Sequence, residues 1–437
     1  MKSKKLILFC WGIGLLLFPL KAEVLSFSKA YELALEHAHH VKASAYATQS
    51  ERERINEESA QLYPHINFSG FYKKSEYERN PTKEMTQQGL INYSVNAQQT
   101  IYNPSILSRI NLQEARSKRS EIELQLQKEE LAQELFSAYL ELLKSQNRIN
   151  LLQAYLQYNQ TKLVEIEKRY EMELANKMDL LQMRVETDTA KIELQKEERL
   201  FKVNKLKFQN FIGDIAIELP KLTTRNQVSQ AVKFMEENVS KDSDLEKSLY
   251  IRQALASMDE SRYELEYAQD GHMPQINLEA AYSFFETDDP LVDSQYNSIK
   301  YVMVSINLPL YSGGATSSRV ESSRLMELAA REEMYNVQKE TQVMFDEYIA
   351  RFQSSAESVW IYNTAYNSAE LYVEAIEKGY AHGLKSLTDL NDAKNKLYEV
   401  KFNYIENIYE LVHSYIGICI VKDDFSGLAL LDKLIEE

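Results

Sequence analysis

Two hydrophobic periods take turns along this chain. Leu33, Ala34, Val41, Ala45 and Ile55 form one helical stripe, with Ser26 and Ser28 able to cap its start, and this spacing predicts a helix over 26–62 that Pro64 ends. The period then drops to two. Ile66, Phe68, Gly70 and Tyr72 alternate with His65, Asn67, Ser69 and Phe71. After a polar loop at 78–88 around Asn80-Pro81, a second run places Ile91, Tyr93, Val95, Ala97 and Ile101 on one face. Asn92, Ser94, Asn96, Gln98 and Thr100 fill the other. The pair predicts a β-hairpin over 64–102 with one apolar and one uncharged polar face. Such a strand suits a wall between lipid and a watery lumen.

From Pro104 the helical period returns for over one hundred residues. Leu135, Leu142, Ile149, Leu156, Leu163 and Tyr170 fall seven apart, with Leu131, Ala138, Leu152 and Ile166 in companion positions, which is a coiled-coil seam. The 67 residues from Pro104 to Tyr170 make about 100 Å of helix. After a break near 171–178, Leu180, Leu194, Phe201 and Phe208 carry a second helix to Gly213. Residues 213–244 are polar, with Pro220 and a charged cluster at Lys241–Asp244, and read as a connector with at most a short helix.

The pattern then starts again. Residues 245–272 are helical and end at Pro274, and MPQIN at 273–277 echoes YPHIN at 63–67. Ile276, Leu278, Ala280, Tyr282 and Phe284 predict a third strand. An aspartate-rich loop follows at 286–297, and Val302, Val304, Ile306, Leu308 and Leu310 predict the fourth, giving a second hairpin over 274–311. Phe345, Phe352, Val359, Tyr366, Val373 and Tyr380 lie 210 residues after the first seam, position for position, and Leu390, Leu397, Tyr404 and Leu411 continue it. The chain therefore divides into a first repeat over 23–212, a connector (or equatorial region) over 213–244, a second repeat over 245–420 and a tail over 421–437.

Composition narrows the class. Only 12 Gly and 8 Pro interrupt 437 residues, in keeping with long elements. Lys2, Lys4 and Lys5, the apolar run Leu6–Phe18 and the small residue Ala22 mark residues 1–22 as a signal peptide. Its removal takes four lysines and no acids, moving the net charge from −15 to −19. So acidic a surface argues against nucleic acid as a partner. Cys419 is then the one cysteine left, so no intrachain disulfide forms, and Cys10 lies too early in the apolar run for a lipid anchor. No later stretch is apolar enough for a transmembrane helix, so membrane contact must be through strands. Four strands are too few to close a barrel, and edges cannot face lipid. The chain must associate with copies of itself, and three would supply twelve strands.

Catalytic signatures are missing: there is no nucleophile elbow, phosphate loop, HExxH or cysteine–histidine pairing. No enzyme and no cofactor is expected. His37, His39 and His40 cluster without a fourth ligand and read as solvated residues rather than a metal site. The chemistry gathers instead at 380–393, YAHGLKSLTDLNDA, where Asp389 and Asp392 share one face of a first helical turn. Ser386 followed by Asp389 resembles a capping box, which alone accounts for an acid there. In a trimer the same two residues would also form stacked carboxylate rings.

The duplicated order of helix, hairpin, long helix and helix, the LYPHIN and HMPQIN junctions, QTIYNP and LPLYSGG at the strand ends, and the two tip segments together resemble the TolC-type outer-membrane factors of Gram-negative bacteria. The resemblance covers nearly all of the mature chain. It implies a mixed fold: a long α-helical coiled-coil barrel plus a transmembrane β-barrel, four strands per chain and twelve per trimer, built from two tandem structural repeats. It implies a homotrimer in outer-membrane lipid, extending into the periplasm, that serves as the exit duct of a tripartite efflux or type I secretion system. The partners it implies are a periplasmic adaptor (membrane fusion protein) and an inner-membrane pump of RND or ABC type. It places an inner gate at the tip turns, where Asp179, Tyr380, Lys385, Asp389 and Asp392 match the family's gate positions. Asp179 would accept from Tyr380 within a chain and from Lys385 across chains. Lys385 replaces the family's arginine, and Glu173 its first-turn glycine. The other reading is a non-channel periplasmic coiled-coil scaffold or adaptor. An adaptor needs a lipoyl-like β-domain between its helices, which the pattern lacks, and a scaffold has no use for strands with a lipid-suited face.

Overall fold

The structure, a computed structural model, describes residues 27–79, 84–214, 225–239, 245–287 and 297–423. The signal segment, the tail beyond Asp423 and the middle of both strand loops lie outside these. Among the described residues the chain forms eight α-helices and one four-stranded antiparallel sheet. In order they are α1 (Phe27–His37), α2 (His39–Ala60), β1 (His65–Arg79), β2 (Glu84–Tyr102), α3 (Pro104–Glu171), α4 (Lys177–Ile212), α5 (Arg225–Asn238), α6 (Leu249–Gln269), β3 (Gln275–Thr287), β4 (Ser298–Asn307), α7 (Ala315–Ala381) and α8 (Leu387–Val421).

The sheet runs β1-β2-β3-β4. Its register keeps the period-two pattern in phase across strands, so Ile66, Ala97, Ala280 and Val302 form one row and Phe68, Val95 and Tyr282 the next. Ile66, Phe68, Val95, Tyr282, Val302 and Val304 are all exposed. The opposite face carries a polar ladder: Ser69 and Ser94 hydroxyls lie 2.7 Å apart, and Asn92 donates to Ser283 at 3.0 Å. One side is therefore made for an apolar solvent and the other for water.

Three expectations need correction. The helix expected over 26–62 is two helices, broken at Ala38 (ψ 86°). The break redirects the chain so that Ala34, Ala38 and Val41 are all buried. The first hairpin continues through much of the loop expected at 78–88, pairing up to Arg79 opposite Glu84. Polar residues pair as well as apolar ones beyond the apolar band, and Gln87 donates to Glu76 at 3.3 Å. The fourth strand stops at Asn307, short of Leu308 and Leu310, because Pro309 has no N–H to give the ladder.

The helices meet at a waist. Long α3 packs against α4 on one side of it and against α2 and α6 on the other, while α7 packs against α8 and α6. Where the shorter helices end, the main apolar core forms from Phe27 and Ala30 of α1, Leu135, Phe136 and Tyr139 of α3, Phe208 of α4, Val232 of α5, Phe352 of α7 and Tyr415 of α8. Phe27 meets Phe136 edge to face at 5.1 Å. Helix α5, in the connector, contributes Val228, Ala231, Val232 and Met235, one helical face. Away from the waist, α7 and α8 are zipped by ion pairs in antiparallel register, Lys394 with Glu377 at 2.7 Å and Lys401 with Glu370 at 3.7 Å.

A cavity of about 630 Å³ opens beside the waist, lined by Phe27, Tyr31 and Glu32 of α1, Lys128 and Glu129 of α3, Arg252 of α6 and Asp423. Glu129 is 6% exposed. Burial, and then the neighbouring Asp423 carboxyl, push its pKa up from 4.5 to about 9, against the opposing pull of Arg252. The folded chain thus holds a proton here that the unfolded chain releases. This contribution to stability is complete below about pH 4.5 and is lost as pH rises towards 9. Thermal melting of the detergent-solubilised protein between pH 5 and 9 should show a decline with pH that Glu129→Gln flattens; an identical slope in the variant would remove Glu129 as its source.

Candidate functional site at the helical tips

Both helical hairpins end in turns of the same backbone form. In the first, Leu174 N–H donates to Arg169 O at 2.7 Å and Glu173 N–H to Tyr170 O at 3.0 Å. In the second, Leu384 donates to Gly379 O at 2.8 Å and Gly383 to Tyr380 O at 3.0 Å. This helix ending needs one left-handed residue. Gly383 (φ 71°) supplies it in the second turn, and Glu173 (φ 59°) adopts the same conformation in the first. A non-glycine residue there carries strain that glycine avoids. The departure at Glu173 thus leaves the shape of the turn unchanged.

Each turn is followed by a capped helix. Asn176 Oδ1 accepts from the Asp179 N–H at 2.7 Å. Ser386 and Asp389 form a reciprocal capping box: Asp389 N–H donates to Ser386 Oγ at 3.1 Å, and Ser386 N–H donates to Asp389 Oδ2 at 2.9 Å. The Ser386 backbone bond, then the Ser386 hydroxyl, hold the Asp389 carboxyl below its usual range. Asp392, three residues on, is exposed. Lys385 is exposed as well, and its stem lies across Gly379, where an added Cβ would come within 2.8 Å of Lys385 Cγ. Gly379 therefore lets the lysine fold back along α7.

Tyr380 is half-buried between two apolar clusters. Its hydroxyl accepts from Arg169 at 3.3 Å, and Lys162 and Arg169 lie 5.7 and 5.8 Å from its ring centre. Burial raises its pKa, with Arg169 opposing and Asp179 close enough to add to the rise. The structure thus brings Asp179 and Tyr380 into one electrostatic neighbourhood and gives the hydroxyl to Arg169. Arg169 was not singled out in the sequence. Its one signal there is a basic residue in the last turn of a helix, which the macrodipole alone would favour. Thr388 donates to Gln182 at 3.3 Å, a second polar link between the hairpins. Distant from the tips, His37 bonds through Nδ1 to Leu33 O at 2.9 Å, and His39 and His40 are exposed.

Comparisons with known proteins bear on this geometry. The family model described as outer membrane efflux protein matches residues 30–213 and 242–418. Outer membrane protein TolC of Salmonella enteritidis is 23% identical over 418 residues, spanning 92% of this chain and 82% of that one. The solved structure of CusC matches with a TM-score of 0.80 at 15% identity, covering 91% of each chain. VceC of Vibrio cholerae matches at 0.77 and 15%, covering 90% of this chain and 96% of that chain.

Ser386→Ala should leave the α8 N-terminus uncapped. Amide exchange across 387–390 should quicken on the order of fivefold, as expected for losing a typical cap. Mass-spectrometric hydrogen exchange on the tip peptide tests this, and unchanged rates would mean the box does not hold the turn.

Proposed function

This chain belongs to the outer membrane efflux protein family, and from that premise we propose that three copies form an exit duct through the outer membrane and periplasm. The observation that carries the proposal is the sheet. Four strands with an exposed apolar face and a hydrogen-bonded polar face leave β1 and β4 as edges, and edges in hydrocarbon must be paired. Neighbouring copies would pair them, giving a twelve-stranded barrel with the polar ladder lining its lumen. The helices, about 100 Å long, would continue the duct as a tube. A scaffold reading leaves that apolar sheet face without a use.

The same reading makes the chain two tandem repeats. In support, α2 and α6 begin 210 residues apart (His39, Leu249), as do β1 and β3 (His65, Gln275) and α4 and α8 (Lys177, Leu387). The family model matches in two separate spans. The tip turns would then ring the inner mouth of the duct and meet a periplasmic adaptor that brings an inner-membrane pump, of RND or ABC type, into line. Efflux and type I secretion both fit such a duct, with the cargo chosen by the pump.

The gate we propose lies at Asp179, Tyr380, Lys385, Asp389 and Asp392, with Arg169 as the intrachain partner of Tyr380. Lys385 would reach Asp179 of the next copy. The capping box and the carboxylate rings are compatible, since Asp389 keeps an exposed carboxylate while its turn is capped.

Two measurements in planar bilayers check this reading. Asp179→Ala combined with Lys385→Ala should raise single-channel conductance, and parental conductance in that variant would remove the polar gate. Asp389→Ala with Asp392→Ala should abolish block by multivalent cations; block that persists would show that the rings are elsewhere. Recovery of the protein from periplasm without detergent would favour the scaffold over the duct.

A further inference from the structure

Leu387 is the first residue of α8, following a run of exposed residues from Ala381 to Ser386 that includes Leu384 at 80% exposure. Yet Leu387 is 4% exposed. It is buried by the other hairpin: Ile166 of α3 with Leu180 and Met183 of α4 form the socket, and Tyr380 borders it. Ile166 and Met183 are themselves 1% and 0% exposed. One turn further on, buried Asn391 donates to Met183 Sδ at 3.5 Å. The second hairpin has a separate cluster of its own, Val373, Ile376, Leu390, Ala393 and Leu397, which joins α7 to α8 and leaves the first hairpin out.

Among the described residues, the links between hairpins at the tip are the Leu387 peg, the Tyr380 ring at the border of its socket and a few polar contacts. Arg169 to Tyr380 and Thr388 to Gln182 are both 3.3 Å long and part exposed. Water competes for such bonds, whereas a leucine withdrawn from a closed socket exposes apolar surface with nothing in return. The residue 210 positions earlier, Lys177, is exposed and charged. The peg belongs to the second hairpin alone.

We propose that Leu387 is the positioning residue of the gate: its side chain, seated between Ile166, Leu180 and Met183, keeps the second hairpin against the first and the tip closed. Opening then consists of α7 and α8 moving as one zipped unit and drawing Leu387 out of its socket. Polar contacts set where the hairpins meet, and the peg sets how firmly they stay. This rests on the gate reading given above, and the test separates the two.

Single-channel conductance of the purified full-length protein is compared for the parent, Leu387→Ala, Leu387→Met, Leu384→Ala and the Asp179→Ala, Lys385→Ala double variant, with the heat dissociation of each assembly measured alongside. Truncating a buried leucine is expected to raise open occupancy on the order of 30-fold. Leu387→Met, which refills the socket, should restore parental behaviour, and Leu384→Ala, on the exposed turn, should match the parent. Heat dissociation should not change, because the peg lies within one chain. Should Leu387→Ala not assemble, Met183→Ala tests the socket from the other side with the same expectation. Parental conductance in Leu387→Ala or Met183→Ala alongside a raised value in the polar double variant would overturn the peg and leave the gate standing. Parental conductance in all of them would overturn both.

Discussion

A 68-residue helix such as α3 has to bury its apolar seam along its whole length, because isolated helices are marginal in water. None of the helices packed along it is long enough, α4 having 36 residues. Helix α4 covers one part of α3, and α2 and α6 cover the rest; α7 is shared in the same way between α8 and α6. Shorter helices laid end to end must stop somewhere, and their stopping points coincide at the waist. That is why the main core lies there and why α1 and α5 are needed to close it. Asp423, left-handed at φ 53° just past α8, and Gly213 at the end of α4 mark the two stops.

What could be read in the sequence follows from how local the signal is. The seam positions Leu135, Leu142, Phe345 and Phe352 are buried because a seven-residue repeat needs no distant information. The Ser386–Asp389 cap was legible for the same reason, both partners lying within one turn. Helix α5 gives only a weak signal, although Val228, Ala231, Val232 and Met235 have helical spacing, because polar residues and Pro220 dominate its surroundings. Ala38 breaks a helix with neither proline nor glycine, so only the packing on both sides of it reveals the bend. Arg169 and Leu387 meet partners about two hundred residues away, and no spacing rule reaches that far.

The two tips show how one backbone shape can be put to different uses. Glu173 and Gly383 turn the chain alike, but the first turn leads into exposed Lys177 and the second into buried Leu387. Lys385 can lie along α7 because Gly379 leaves room for it. At the corresponding place on α3 stands Arg169, which instead reaches across to Tyr380. The contact between the hairpins is thus unsymmetrical, with Arg169 reaching out from the first hairpin, which Tyr380 and Leu387 meet from the second.

The central pairing of the sheet has a further consequence, for the order in which the molecule can be made. Strands β1 and β2 are neighbours in sequence and can close as a hairpin at once. Strand β2, however, meets β3 with Tyr93 opposite Phe284, 191 positions later. Contacts so distant along a chain form slowly. Until the second half emerges, the first hairpin must travel with an apolar face and an open edge, the combination most prone to mispairing. The nascent chain is therefore most vulnerable midway through synthesis, when half a wall exists with nothing to lean on, and that interval is where an escort for unfolded strands has most to do.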